Sequence, residues 1–266
     1  MLKVPNVAWS FYPWNKSDLN KMLDWFFSNI EINKKITKPY GVVAPHAWYI
    51  YSWPIAAYSY QIIKSCRDEI PKTFVIMAPS HYEYFNGISI WLYDEFQTPL
   101  WNISVDTKLW NEIIKNYPDS FSFYQSAYEQ EHALEVQLPF LQYIAKSDFK
   151  ILPMIFGNVN PIEIWNILFE IIKKEKVFFI VSSDLSHYMS YENAVITDED
   201  TLHYFTNKEI EKIVNEAEAC GIHPRLALTQ LAIKSKWKSE CIKYMNSWYT
   251  AWDKSRVVWY WSVVYY

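Results

Sequence analysis

The sequence predicts an α/β protein: one domain with a mostly parallel central sheet flanked by helices. Three observations carry that prediction. The runs Val42-Val43-Ala44, Phe74-Val75-Ile76-Met77-Ala78 and Val177-Phe178-Phe179-Ile180-Val181 are short, wholly apolar, and rich in β-branched or aromatic residues. Strands buried on both faces of a sheet need that composition. Helix-forming stretches separate them, and alternating strands and helices build parallel sheets. Each run also stops at small or proline residues and then presents a histidine: Pro45-His46, Pro79-Ser80-His81 and Ser182-Ser183-Asp184-Leu185-Ser186-His187. Open α/β sheets bind ligands beyond the carboxyl ends of their strands, so the three histidines are placed to share one pocket.

The remaining elements follow in chain order. Ser17-Asp18 is expected to cap an amphipathic helix over 19–30, with Leu19, Met22, Leu23 and Phe26 at helical spacing. Residues 33–39 read as a polar connection. A helix is expected from Pro54, a residue favoured at a first helical position, to about 64. Residues 88–93 read as a strand, and Asp106 as the cap of a helix over 107–115. The stretch 130–145 is helix-forming, with Pro139 expected to kink or interrupt it. A strand over 151–156 and a helix over 161–173 come next. A long helix is expected over 197–219, its start favoured by Asp198, Glu199 and Asp200. Another covers 225–233, and strands over 241–245 and 257–266 close the chain. No repeat or linker divides it, so residues 1–266 read as one domain.

Composition narrows the function. A chain of 266 residues builds one large core without a second domain. A net charge of −4 with no basic block argues against nucleic acid as a partner. Residues 1–8 carry no apolar segment of signal-peptide length, and no run approaches the roughly 20 apolar residues of a membrane span. Cys66, Cys220 and Cys241 are odd in number and far apart, with no C-x-x-C pair. A cytoplasmic protein with reduced thiols is the expectation.

One count is abnormal. The chain has 4 Gly and 14 Trp, where about 7% Gly is usual. Several tryptophans stand in turn-like places, Trp53 before Pro54 and Trp252 before Asp253-Lys254 among them, where glycine commonly serves a positive φ or a close backbone approach.

The candidate chemistry lies in a few side chains. His46 and His81 share a strand-then-proline setting that suits a ligating or catalytic imidazole; a satisfied loop histidine is the plainer reading of either alone. Asp184 and His187 are three residues apart and share a face if their turn is helical. The carboxylate would then orient the imidazole and raise its basicity, as a general base requires, or it would cap a short helix. Glu131, His132 and Glu135 form an acid–histidine–acid cluster near a helix start, where acids also complement the dipole. His203 reads as a surface residue, and His223 as the weaker neighbour of Cys220. Cys220-Gly221 falls between two helices. Two histidines with one cysteine or carboxylate hold iron, copper or zinc with a position left open.

These stretches resemble the Memo family, the B component of the AmmeMemoRadiSam group. The matching segments run from Ala8-Trp9-Ser10-Phe11-Tyr12-Pro13 through Ala44-Pro45-His46-Ala47-Trp48-Tyr49 and Ala78-Pro79-Ser80-His81 to Glu131-His132-Ala133-Leu134-Glu135-Val136-Gln137-Leu138-Pro139-Phe140. They continue with Ser182-Ser183-Asp184-Leu185-Ser186-His187-Tyr188 and Ala219-Cys220-Gly221, in the family's order over nearly the whole chain. The family is similar in fold to class III extradiol ring-cleaving dioxygenases, which use non-haem iron. The resemblance implies metal ligation by His46, His81 and Cys220 and a base at His187 supported by Asp184. It places His132 and Glu135 in the family's acid–histidine motif. Cys220 stands where the dioxygenases have a carboxylate, and a thiolate changes the metal's charge and redox behaviour.

The implied function is a redox or dioxygenase-like enzyme using iron or copper, with zinc also compatible, on a small-molecule substrate. The implied partners are radical-SAM and AMMECR-type proteins in a shared pathway. The family also contains a signalling adaptor. A binding module using the same cleft is therefore a rival reading, and a metallohydrolase is another. The family has Gly where this chain has Trp9, Trp48, Trp53 and Trp101, and small residues, mostly Gly, around Trp248, Trp252, Trp259 and Trp261. Decoding of UGA as glycine would produce that pattern; literal indoles at Trp48 and Trp53 are expected to narrow the site.

Overall fold

The computed structural model describes residues 1–32, 34–91, 94–145 and 148–266. The three histidine-bearing runs are the strands Gly41–Ala44, Thr73–Pro79 and Val177–Ser182. They lie side by side: Thr73–Pro79 pairs in parallel with Val177–Ser182, which pairs in parallel with Gly41–Ala44. Lys150–Phe156 continues the parallel sheet on the far side of Thr73–Pro79, and Ile103–Val105 continues it again. On the opposite flank, Val257–Tyr265 pairs antiparallel with Gly41–Ala44 and with Ser239–Asn246. The fold is α/β with a mostly parallel central sheet, as the sequence predicts.

The central strands are apolar throughout because both faces are covered. Val42, Ile76 and Ile180 pack on one side with Tyr60 and Leu141, from the helices Tyr49–Ser65 and Gln137–Ala145. Their neighbours Val43, Val75 and Val181 pack on the other with Leu168 and Leu228, from Pro161–Lys174 and Ile222–Ser235. The period-two alternation of a strand thus feeds two cores rather than one core and solvent.

Several boundaries differ from the sequence reading, each for a local reason. The first helix is Lys16–Ser28, capped by Asn15, whose side chain accepts from the backbone of Ser17 and Asp18. Ser17 and Asp18 are therefore first-turn residues rather than caps. The second helix starts at Tyr49, with Pro54 inside it. The proline removes one N–H from the ladder, while Tyr49, Ile55 and Tyr60 bury the helix against the sheet. Of the helix-forming stretch 130–145 only Gln137–Ala145 is helical, so the stretch is interrupted as expected, but just ahead of Pro139, which lies in the first turn where an N–H has no intrahelical partner. Residues 197–219 divide into Tyr191–Asn207 and Ile210–Glu216, separated by Lys208 in the left-handed conformation (φ 60°). Asp198 lies well inside the first of these and is fully buried. Asp106 does cap its helix, Thr107–Asn116, accepting from the Leu109 N–H at 3.3 Å. The strand expected over 88–93 is Ile88–Ile90. Residues 92 and 93, and Asn33 of the polar connection, lie outside the described residues. Among those described, no helix is long and apolar enough to cross a membrane.

The unusual tryptophans fall into distinct settings. Trp9 (φ 85°) and Trp252 (φ 59°) have left-handed backbones and exposed indoles. Trp53 does not enter the histidine pocket; its ring stacks on Phe26 at 4.5 Å. Trp48 is partly exposed and lies against Phe11 at 5.4 Å. Trp259 and Trp261 are buried.

Candidate metal centre

The adjacent ends of the three strands deliver the site. His46 leaves its strand through Pro45 and is buried. Its backbone N–H donates to Asp184 Oδ1 at 2.8 Å, tying the first histidine loop to the third. Its Nδ1 faces Ser182 Oγ at 2.9 Å, and its Nε2 lies 3.1 Å from Cys220 Sγ. His81 leaves Thr73–Pro79, one strand further across the sheet beyond Val177–Ser182, and its backbone N–H and ring Nδ1 both bond to Glu131, at 2.7 and 3.0 Å. The His46 and His81 rings meet edge-on, 5.1 Å between centroids.

Cys220 arrives from the opposite direction, just before the helix Ile222–Ser235. Gly221 makes that approach possible. A Cβ on Gly221 would sit 2.6 Å from Ser183 Cβ and 2.7 Å from the Ser182 carbonyl oxygen, so only glycine lets this segment close on the strand end. The Asp184 N–H donates to the sulfur at 3.1 Å. Ligand atoms of His46, His81 and Cys220 all lie within 4.8 Å of one another.

This donor set fits a transition-metal ion. A carboxylate only accepts, so the proton on His81 Nδ1 stays with Glu131 and Nε2 is the nitrogen left for a ligand. Burial works against a charged His81, but the hydrogen bond and charge of Glu131 outweigh it and raise its pKa. Burial, with the neighbouring imidazoles of His81 and His132, pushes His46 well down, keeping it neutral. Burial and the nearby Asp184 carboxylate push the Cys220 thiol well up; a cation at the cluster would reverse that by stabilising the thiolate. Two imidazoles and a thiolate suit iron, copper or zinc, reached by bonds of about 2.0–2.3 Å.

Asp184 and His187 come together without the helical turn expected of them. Residues 183–186 are irregular, and His187 opens the short strand His187–Met189, paired with Val257–Tyr265. Asp184 Oδ2 lies 3.8 Å from Nε2 of both His187 and His46. Burial pushes the Asp184 carboxyl up to about 6, although His187 pulls the other way. The loop is held by Asp198, whose carboxylate accepts from the Ser186 N–H at 3.0 Å and its hydroxyl at 2.7 Å. The sequence presents Asp198 as a helix-start acid; its partner is twelve residues upstream and carries no local signal.

The acid–histidine motif splits in two. His132 faces the pocket, stacked 4.9 Å from His81 and edge-on to His46 at 5.5 Å. Burial pushes it down to about 4, so it is neutral, and its Nδ1 has no hydrogen-bond partner among the described residues. Glu131, His81 and His132 also offer ligand atoms within 4.8 Å of one another. The Glu131 oxygens, however, already accept from the His81, His132 and Ala133 N–H groups. Glu135 is held elsewhere: it accepts from the Asn6 and Val7 N–H groups at 2.5 and 3.1 Å and from the Tyr12 hydroxyl at 2.6 Å. His203 is exposed beside Glu209. His223 lines a cleft of about 270 Å³ with Tyr84, Phe85 and Cys220, beside the cysteine as the sequence suggests.

A parallel sheet in which two strands flanking a third present imidazoles to a helix-start thiol defines an α/β protein with a candidate metal-binding centre. The chain belongs to the Memo-like family: the Memo-like protein family model matches residues 3–264. It is similar to MEMO1 family proteins of Aquifex aeolicus (33% identical, covering 99% of each chain) and Methanosarcina mazei (31%, covering 99% of this chain and 98% of the relative). A MEMO1 family protein of Sulfurisphaera tokodaii is 30% identical over 99% of each chain.

Proposed function

We propose that this chain is a metal-dependent redox enzyme of dioxygenase-like type, acting on a small molecule with iron or copper held by His46, His81 and Cys220. The observation that carries the proposal is the convergence of those three ligand atoms within 4.8 Å, each on a differently braced backbone. When bound, such a metal supplies Lewis acidity and one-electron redox chemistry.

The chain's own groups supply the rest. His187 is about one-third exposed at the rim, so its imidazole is open to a substrate, with the Asp184 carboxylate 3.8 Å from its Nε2. It would take a proton at one ring nitrogen and return it, with the buried Asp184 carboxylate steadying the imidazolium. Neutral His132, beside His81 and His46, offers a hydrogen bond without adding charge. Phe11 packs 4.8 Å from the His132 ring and shields that side from water. The resemblance adds radical-SAM and AMMECR-type proteins as pathway partners, and the three free cysteines support a cytoplasmic location.

The test is metal binding. The protein would be purified anaerobically with Fe(II), Cu(I) or Zn(II), and stoichiometry measured for wild type and Cys220→Ser. One tightly bound redox-active ion per chain, lost in the variant, is expected. Zinc alone, with hydrolytic turnover, would replace this reading with a metallohydrolase. Metal-independent partner binding would replace it with a binding module.

A further inference from the structure

Behind His46 lies a closed hydrogen-bond network of fully buried groups: Tyr60, Gln137 and Ser182. Its polarity follows from two backbone carbonyls, which only accept. The first is Pro45 O, 2.9 Å from the Gln137 side chain, so the amide atom facing it is Nε2 and the amide orientation is fixed. The Tyr60 hydroxyl then donates to Gln137 Oε1 at 2.7 Å, and the second Nε2 proton goes to Ser182 Oγ at 2.8 Å. The second carbonyl is Ala133 O, 2.5 Å from Ser182 Oγ. That separation must contain the single hydroxyl proton of Ser182, since two bare oxygens would repel.

Ser182 Oγ now has its proton committed to Ala133 and one lone pair filled by Gln137. Its third neighbour, His46 Nδ1 at 2.9 Å, has only a lone pair to meet and must donate. We infer that Ser182, set by Gln137 and Tyr60, is a positioning residue that fixes His46 as the Nδ1–H tautomer and so leaves a bare Nε2 aimed at Cys220. His81 reaches the same state through the Glu131 carboxylate, whereas His46 reaches it through an uncharged hydroxyl. The two imidazoles are thus presented alike by different chemistry, and the His46 arm adds no charge to the buried side of the sheet.

The inference about affinity rests on the metal-centre reading; the inference about the tautomer does not. Metal-free wild-type protein, labelled with ¹⁵N, would be examined at neutral pH by long-range proton–nitrogen correlation NMR. The expected result is a protonated Nδ1 and an unprotonated Nε2 on His46; a protonated Nε2 overturns the inference without any variant. In Ser182→Ala, Nδ1–H loses its acceptor, so a mixture of tautomers is expected. Zn(II) affinity should fall about 10–100-fold, the usual effect of removing an outer partner of a ligating histidine. Ser182→Thr, which keeps the hydroxyl, should restore both. An unchanged tautomer and unchanged Zn(II) affinity in Ser182→Ala would show that Ser182 only fills space. A wild-type protein with the expected tautomer but no metal binding would retire the metal centre and leave the tautomer assignment standing.

Discussion

His46 Nε2 and Cys220 Sγ lie 3.1 Å apart although 174 positions separate them in the chain. Neither is near the other by secondary structure. The contact exists because the His46 loop is tied to Asp184 by a backbone hydrogen bond, and because Asp184 in turn donates its own N–H to the sulfur. Asp184 is therefore a joint between two candidate ligands as well as a neighbour of His187.

Glu131→Gln should weaken metal binding about 10–100-fold. The amide cannot accept from both the His81 backbone and ring while keeping the His132 and Ala133 N–H groups. Titration with Zn(II) in competition with a chelator measures it. Unchanged affinity would show that His81 holds its orientation without the carboxylate.

Glu135→Gln should separate stability from metal binding. The carboxylate anchors the 6–12 segment through three hydrogen bonds. Losing its charge should cost about 2–3 kcal/mol, in the range for hydrogen bonds to charged groups, read by urea denaturation. Metal stoichiometry should be unaffected.

Asp198 makes stability depend on pH with a definite sign. Burial pushes its carboxyl up to about 6, although the bonds from Ser186 pull the other way, whereas an unfolded Asp titrates near 3.9. Between those values the folded chain holds more of this proton than the unfolded chain. Its contribution is therefore greatest below about pH 4 and is lost as pH rises through 6. Asp198→Asn should flatten that part of the stability–pH profile, compared by denaturation at pH 4 to 7. An identical slope in the variant would mean that other groups set it.

Trp252→Gly should stabilise the chain by about 1 kcal/mol, because a left-handed backbone costs a residue with a Cβ roughly that much. Trp9→Gly should act in the same direction. The related expectation is that the codons for Trp9, Trp48, Trp53, Trp101, Trp248, Trp252, Trp259 and Trp261 are UGA decoded as glycine. The coding DNA and the mass of the native protein check it, and UGG at those positions would end it. The structure gives this uneven support. Trp9 and Trp252 occupy glycine-like backbone, whereas Trp48 starts a helix from an extended conformation and Trp53 lies inside one.

The sheet was legible because the Val42, Val75 and Val181 runs are apolar on both faces, a pattern that only a doubly covered strand requires. The convergence of His46, His81 and Cys220 was legible because each histidine follows such a run and Cys220 sits beside a glycine, in stretches that resemble the family's. Ser182, Gln137 and Asp198 were not legible as site residues. Each works through a partner far off in sequence or a backbone carbonyl, and neither leaves a local pattern. Pro54 misled for a related reason: a proline reports the lost N–H, whereas the packing that sets a helix's start lies elsewhere. Glu135 shared a motif with His132, yet one turn of chain sends the two side chains to different neighbours.

The strand Val257–Tyr265 forms one border of Gly41–Ala44, the strand that presents His46. On the ribosome, His46 therefore emerges long before its strand can be completed, and Cys220 also arrives late. Until then the early strand has an unsatisfied edge, the kind that recruits strands from other molecules. Convergence of the candidate ligands consequently waits on the later part of the chain, Cys220 lying 174 positions after His46. Nascent chains stalled before residue 257 should aggregate rather than accumulate as loaded fragments.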